Sequence, residues 1–105
     1  LTHYPKWYPL EDNEVIYSPK VTIIKDREYN DLEQTDYWTT AMLAVAAIKN
    51  PTTIDGEYAD ESSKNLMRQK INAIFQIAIQ HGHDSLVLGA LGCGAYKNPP
   101  HVIAE

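Results

Sequence analysis

The sequence predicts an α/β fold, in which a strand, a long helix, a second strand, a glycine-rich loop and a second helix follow one another. Three observations support this prediction. Apolar residues make up 44% of the 105 residues and charged residues 22%, as in an ordinary globular core. A helical apolar stripe lies in the second half of the chain. A short apolar run, followed closely by glycines, comes directly after it.

An irregular N-terminal arm is predicted for residues 1–14, which are polar, aromatic and rich in proline. The predicted domain then spans residues 15–105. Aromatic side chains of the arm and of the first strand are expected to pack onto the sheet rather than to form a wall for an adenine, because aromatic residues dominate burial in small domains. These residues are Tyr4, Trp7, Tyr8 and Tyr17.

Two short β-branched runs open the domain, at residues 15–17 and 21–24. Pro19 lies between them and favours a bend or an edge strand over one long strand. A charged loop leads to the next apolar run, at residues 37–48. This run contains good helix formers but has no polar face, so we favour a fully buried central strand that ends before Pro51.

The most regular element is a helix over residues 61–81, whose apolar side chains recur at helical spacing. Asp60 or Ser62 is predicted to cap its start, and Gly82 lies just past its end. The apolar face is expected to pack in the core. Its residues are Leu66, Met67, Ile71, Ile74, Phe75, Ala78 and Ile79.

A second buried strand is predicted at residues 86–91, which are short, apolar and bounded by turn residues. A strand, helix and strand in one sheet form a right-handed crossover with parallel strands, and ligands of such sheets gather outside the carboxyl ends of the strands. The glycine loop follows this strand. Asn98 and Pro99 are predicted to be the N-cap and first residue of a second helix, whose positive end would face the same space.

The loop between residues 89 and 98 is the candidate binding site. Gly92 and Gly94 allow backbone angles that are closed to other residues, so successive N–H groups can form an anion-binding nest. The segment lacks the Gly-Lys-Ser/Thr of a P-loop and the third glycine of a dinucleotide fingerprint. A diphosphate loop and a tight turn without a ligand stay open. The predicted ligand-binding residues are Gly89, Ala90, Gly92, Cys93, Gly94, Ala95, Tyr96 and Asn98.

Composition argues against several other classes of function. The formal net charge is −5, with no basic stripe for nucleic acid and no apolar stretch long enough to cross a membrane. Cys93 is the single cysteine, which fits a reducing, cytoplasmic location and excludes an internal disulfide. We expect Cys93 to fill the loop rather than to act as a nucleophile. His81 and His83 are expected to serve the helix C-terminus rather than to bind a metal, and no cofactor is predicted.

The segment 86–99 resembles the diphosphate-loop segment of microbial-type poly(ADP-ribose) glycohydrolases. Residues 15–21 resemble the Tyr-Ser-Pro-x-Val segment of that family, and residues 68–84 fit its helix in order and spacing. The resemblance covers most of residues 10–105. It implies a three-layer α/β/α macrodomain-like fold with a mixed, largely parallel sheet, incomplete in this chain. It also implies that ADP-ribose or poly(ADP-ribose) binds with its diphosphate on residues 92–96.

The catalytic Gly-Gly-Gly and Gln-Glu-Glu motif of the family is absent from this sequence, whose nearest acidic cluster is at residues 32–34. The resemblance therefore assigns no catalytic residue to this chain. The start without methionine and the abrupt end indicate a C-terminal fragment, which would hydrolyse the ribose–ribose O-glycosidic bond only with a missing N-terminal half. Two other functions stay open: a non-catalytic reader of ADP-ribose or nucleotide diphosphates, and a structural or interaction module that forms a homo-oligomer.

Overall fold

The computed structural model describes residues 14–105, and Tyr4, Trp7 and Tyr8 of the predicted arm lie outside these residues. The described part is a mixed α/β arrangement of two small antiparallel sheets and one long helix. Its strands are β1 (Val15–Ile23), β2 (Trp38–Val45), β3 (Thr53–Ile54) and β4 (Glu57–Tyr58). Its helices are α1 (Glu61–Gln80) and α2 (Pro100–Ala104), with a 3-10 turn at Gln34–Asp36.

β1 is one strand of nine residues that pairs with β2 in antiparallel register, from Val15 opposite Val45 to Ile23 opposite Trp38. The register shifts between Ser18 and Val21, on either side of the proline that was expected to split the strand. Proline has no N–H to give to a ladder, and a bulge absorbs this defect without ending the strand. The predicted division into two strands is therefore wrong, while the predicted irregularity is present.

β2 confirms the strand predicted within residues 37–48, but it is not fully buried. Met42 is 44% exposed, and Trp38 is also exposed. β1 occupies one edge of β2, and the described residues provide no strand for its other edge. Burial on both faces needs neighbours that this part of the chain does not supply, which is why the prediction of a fully buried strand was wrong.

The segment 86–91 is not a strand in this structure, contrary to the prediction. Val87 is fully exposed and Leu88 is largely exposed. An open groove of about 810 Å³ separates this segment from β2, and no described strand lies close enough to share its hydrogen bonds. The strand pairs of the described residues are all antiparallel, so the predicted parallel crossover is not found among them.

α1 begins and ends where the sequence predicts. Asp60 is its N-cap, and its carboxylate accepts hydrogen bonds from Ser63 N and from Ser62 Oγ, each at 2.7 Å. Gly82 follows the C-cap residue with a positive φ of 76°. The N–H of His83 donates to a carbonyl oxygen in the last turn at 2.9 Å, so the free carbonyls of the helix end are partly satisfied.

The predicted apolar face of α1 is buried only in part. Met67 and Ala78 are buried, at 2% and 4% exposure. Phe75 is exposed, and Ile79 is 74% exposed, so the prediction of core packing is wrong for these two. Phe75 borders an open cleft that α1 shares with α2, so the described residues cover this side of the helix only in part. Neither helix of residues 14–105 combines the length and the apolar composition that a membrane-spanning helix needs.

A two-residue turn that the sequence analysis did not single out joins β3 to β4. Asp55 and Gly56 have φ values of 52° and 77°, as a type I′ hairpin requires at both central positions. Asp-Gly between two strands is the common sequence for this turn. The turn places Tyr58, in β4, against the end of the glycine loop.

Candidate functional site

The glycine loop contains two hydrogen-bonded turns. The N–H of Cys93 donates to Ala90 O at 3.1 Å. The N–H of Lys97 donates to Gly94 O at 3.0 Å, and Lys97 itself adopts a positive φ of 60°. The loop therefore has a fixed course although it belongs to no helix or strand.

Position 92 requires a glycine for two reasons, its backbone conformation and the atoms that surround it. Its φ is +72°, in the left-handed region where a side chain is strained. A Cβ at this position would clash with the Cβ of Ala47 and would lie 2.6 Å from Asn98 Nδ2. The prediction that Gly92 uses its conformational freedom is confirmed.

Gly94 behaves differently from Gly92. Its φ lies outside the left-handed region, so the predicted backbone role of Gly94 is wrong. Nothing lies within 4 Å of the position that a Cβ would take. The absence of a side chain at Gly94 thus keeps a space open above the loop rather than allowing a special backbone angle.

Three consecutive backbone donors lie in the exposed part of the loop. The N–H groups of Gly94, Ala95 and Tyr96 make no hydrogen bond to other atoms of the described residues. All three residues are exposed, and Tyr96 is 41% exposed. Successive free N–H groups in a turn form a concavity that binds anions.

The predicted site residues fall into three groups. Gly89 and Ala90 are exposed with Gly94, Ala95 and Tyr96, whereas Gly92 and Cys93 are half-buried beneath them. Asn98 is 1% exposed. Seven of the eight predicted residues are therefore exposed or half-buried in the loop, and Asn98 is the one that is buried.

The side chain of Asn98 is fully engaged inside the protein. Its Nδ2 donates to Ile48 O at 2.8 Å and to Gly92 O at 2.9 Å, and its Oδ1 accepts from Tyr58 Oη at 2.7 Å. Both amide hydrogens are used, so no donor is left for a ligand. The predicted N-cap role of Asn98 is wrong: α2 starts at Pro100 with Pro99 as its N-cap residue, because the Asn98 amide turns inward instead.

The segment after β2 braces the loop from below. Asn50 N donates to Tyr96 O at 2.9 Å, and Ala47 packs against Gly92. Asn50 adopts a positive φ of 50°, which an asparagine tolerates better than most residues. This bracing connects the end of β2 to the far side of the glycine loop.

Tyr58 is the residue of this region that the sequence analysis missed. Burial raises the pKa of its phenol, and the charge of a Cys93 thiolate would raise it further. The hydroxyl is therefore protonated at neutral pH and can donate to Asn98. The Asp55-Gly56 turn was the sequence signal that could have placed Tyr58 near the loop.

The cysteine and the histidines have ordinary structural contacts. The thiol of Cys93 donates to the carbonyl oxygen of Leu91 at 3.7 Å. Tyr17 stacks on His81 with ring centroids 4.0 Å apart, and its hydroxyl lies 2.6 Å from His83 Nε2. These contacts tie the C-terminal end of α1 to β1. Within the described range, no three His, Cys, Asp or Glu side chains lie together as metal ligands would.

A mixed α/β chain with a fixed glycine loop at the exit of an apolar segment fits a macrodomain-like fold. Solved structures make the likeness specific. The chain is 33% identical to poly(ADP-ribose) glycohydrolase from Thermomonospora curvata, with a TM-score of 0.72 both for a mutant form and for the enzyme. It is 28% identical in the alignment with the enzyme bound to the inhibitor ADP-HPD, with a TM-score of 0.66.

The extent of this likeness is unequal for the two proteins. Each comparison covers 86% of this chain, but only 32% or 33% of the glycohydrolase chain. The chain thus spans about a third of the length of the structures that it matches. The resemblance to microbial-type poly(ADP-ribose) glycohydrolases is confirmed over that third. No protein-family model matches the sequence, and no curated protein matches it either.

Proposed function

We propose that residues 15–105 are the C-terminal portion of a microbial-type poly(ADP-ribose) glycohydrolase-like domain, and that their glycine loop binds the diphosphate of ADP-ribose. The observation that carries this proposal is the row of three free, exposed N–H groups from Gly94 to Tyr96. Diphosphate oxygens accept hydrogen bonds from such donors without any arginine or lysine. The likeness to a structure with the bound inhibitor ADP-HPD supports the same class of ligand.

The chemistry that this loop contributes is positioning. A diphosphate held at Gly94 to Tyr96 would fix the adjoining ribose, and the exposed Tyr96 ring offers a flat face for a sugar or base. Cleavage of a ribose–ribose O-glycosidic bond requires a carboxylic acid to protonate the leaving oxygen. We assign that acid to the part of a complete glycohydrolase-like protein that this chain does not span, and we propose hydrolysis only for such a complete protein.

We also propose that the complete domain has a three-layer α/β/α architecture with a largely parallel sheet. The groove of about 810 Å³ between β2 and residues 86–91 supports this, because it is flanked by apolar residues without a partner strand in the described range. Val87 and Leu88 stand exposed on one side of the groove, and Trp38 and Met42 on the other. Strands from the remaining two thirds of such a domain would cover these residues.

A calorimetric titration with ADP-ribose tests the proposed ligand. We expect micromolar binding by the wild-type chain and a loss of at least about tenfold in affinity for Gly94→Glu, which places a carboxylate in the open space above the donors. Gly94→Ala is the matched control, because its methyl group meets no atom within 4 Å. Equal affinities of the wild type and Gly94→Glu, or no binding by a folded wild type, would contradict the proposal.

An interaction module is the second candidate function, and the exposed apolar residues beside the groove favour it. In this case the groove is covered by another copy of the chain, and ADP-ribose has no effect on the protein. Light scattering over a range of concentrations separates the two candidates. A dimer that does not bind ADP-ribose supports the interaction module, and a monomer that binds it supports the first proposal.

A further inference from the structure

We infer that Tyr58 and Asn98 form a positioning pair that holds the glycine loop in its ligand-binding shape. The inference rests on the proposed diphosphate site and adds two residues that act on it from beneath. Asn98 lies where three segments meet: the glycine loop, the exit of β2 at Ile48 and the strand β4 that carries Tyr58.

The two ends of the loop are fixed to each other by one residue. Gly92 O accepts from the backbone N–H of Asn98 at 2.9 Å and from Asn98 Nδ2 at 2.9 Å. The five residues between them, which include the three free donors, are therefore held as a closed arch. The second hydrogen of Nδ2 is donated to Ile48 O at 2.8 Å, which anchors this arch to the segment that follows β2.

The groups around this side chain match the two donors and the acceptor of an asparagine amide. Nδ2 faces two carbonyl oxygens, and Oδ1 faces the donating hydroxyl of Tyr58. An aspartate would keep the contact with Tyr58 but would bring an oxygen against the carbonyls of Ile48 and Gly92. With Asn98 only 1% exposed, water cannot easily replace the lost hydrogen bonds, so the arch would open.

Tyr58 orients the amide of Asn98. Without its hydroxyl, the Oδ1 atom loses its donor, and the amide can rotate and exchange its nitrogen and oxygen positions. Because the hydroxyl is protonated at neutral pH, this orientation persists there. Tyr58→Phe should therefore loosen the loop less than Asn98→Asp, which removes both donors to the carbonyls.

Amide hydrogen exchange of Lys97 and Asn98 tests the pair without any ligand. We expect exchange to accelerate at least about tenfold in Asn98→Asp, and less in Tyr58→Phe, relative to the wild type. Ala78→Gly is the control, because Ala78 is buried near the end of α1, about 25 Å along the helix axis from Glu61, and borders the groove beside β2 rather than the Tyr58–Asn98 pair. Ala78→Gly should lower the free energy of global unfolding. The local opening through which these two amides exchange without global unfolding should stay as in the wild type.

Titration with ADP-ribose then connects the pair to binding. We expect affinity to fall at least about tenfold in Asn98→Asp and to stay within about twofold of the wild type in Ala78→Gly. Unchanged loop exchange in Asn98→Asp overturns the inference, and so does an equal loss of affinity in the control. If loop exchange changes as expected but the wild type does not bind ADP-ribose, the pair stands as a loop-positioning device and the proposed ligand fails.

Discussion

Replacing Gly92 by alanine tests how the glycine loop is held together. The structure indicates two ways in which this substitution lowers the free energy of unfolding. An alanine at a φ of +72° carries a backbone strain of about 1–2 kcal/mol. Its Cβ would clash with Ala47 and lie 2.6 Å from Asn98 Nδ2, and such overpacking typically costs about 1–3 kcal/mol.

The two costs add to about 2–5 kcal/mol, because strain and overpacking arise from different atoms. Small domains have a free energy of unfolding of about 5–15 kcal/mol, so Gly92→Ala should remove a large share of it. Gly94→Ala should change the free energy of unfolding by less than about 0.5 kcal/mol, because its methyl group enters open space.

Urea denaturation followed by circular dichroism measures both variants against the wild type. We expect a clear decrease in the midpoint for Gly92→Ala and no more than a small change for Gly94→Ala. Equal midpoints for Gly92→Ala and the wild type would refute the close packing beneath the loop. A loss in Gly94→Ala as large as that in Gly92→Ala would refute the open space above it.

Other perturbations test other parts of the structure. Hydrogen bonds from Ser62 and Ser63 lower the pKa of Asp60, so its contribution to stability is present above the unfolded pKa and is lost as the pH falls below about 4. Asp60→Asn should reduce this pH dependence in urea titrations, and an unchanged profile would contradict the capping role. Lys97→Ala should weaken ADP-ribose binding and reduce its salt dependence, since Lys97 has no acidic partner in the described range; a calorimetric salt series without any difference from wild type would count against this. Val87→Lys should leave the denaturation midpoint of this chain unchanged because Val87 is fully exposed, and a large loss would mean that residues 86–91 are buried in solution.

The sequence predicted elements well where local physics decides them. α1 begins at Asp60 and ends before Gly82 because side-chain capping and a left-handed glycine act within one turn of the helix. β2 was predicted as a strand from its lack of a polar face. Its burial was predicted wrongly. A fully buried strand needs a neighbouring strand on each edge, and the described residues provide only β1 beside β2.

The loop shows the same division between local and distant causes. The Gly-x-Gly pattern correctly predicted the strained backbone at Gly92, but Gly94 proved to provide space instead. The Asn-Pro-Pro pattern suited a helix N-cap, yet Asn98 turns inward because Ile48 O, 50 residues earlier, competes for its amide. Only the folded structure brings that carbonyl and Tyr58 to Asn98.

An NMR titration of the ¹⁵N-labelled chain with ADP-ribose shows residue by residue whether the glycine loop binds the diphosphate. We expect the amide signals of Gly94, Ala95 and Tyr96 to shift as their free N–H groups bind the diphosphate, with little change at Gly56 in the β3–β4 turn. Adenosine, which lacks phosphate, should leave the three signals in place. Shifts confined to other parts of the chain, or the same loop shifts with adenosine, would contradict a diphosphate site on this loop.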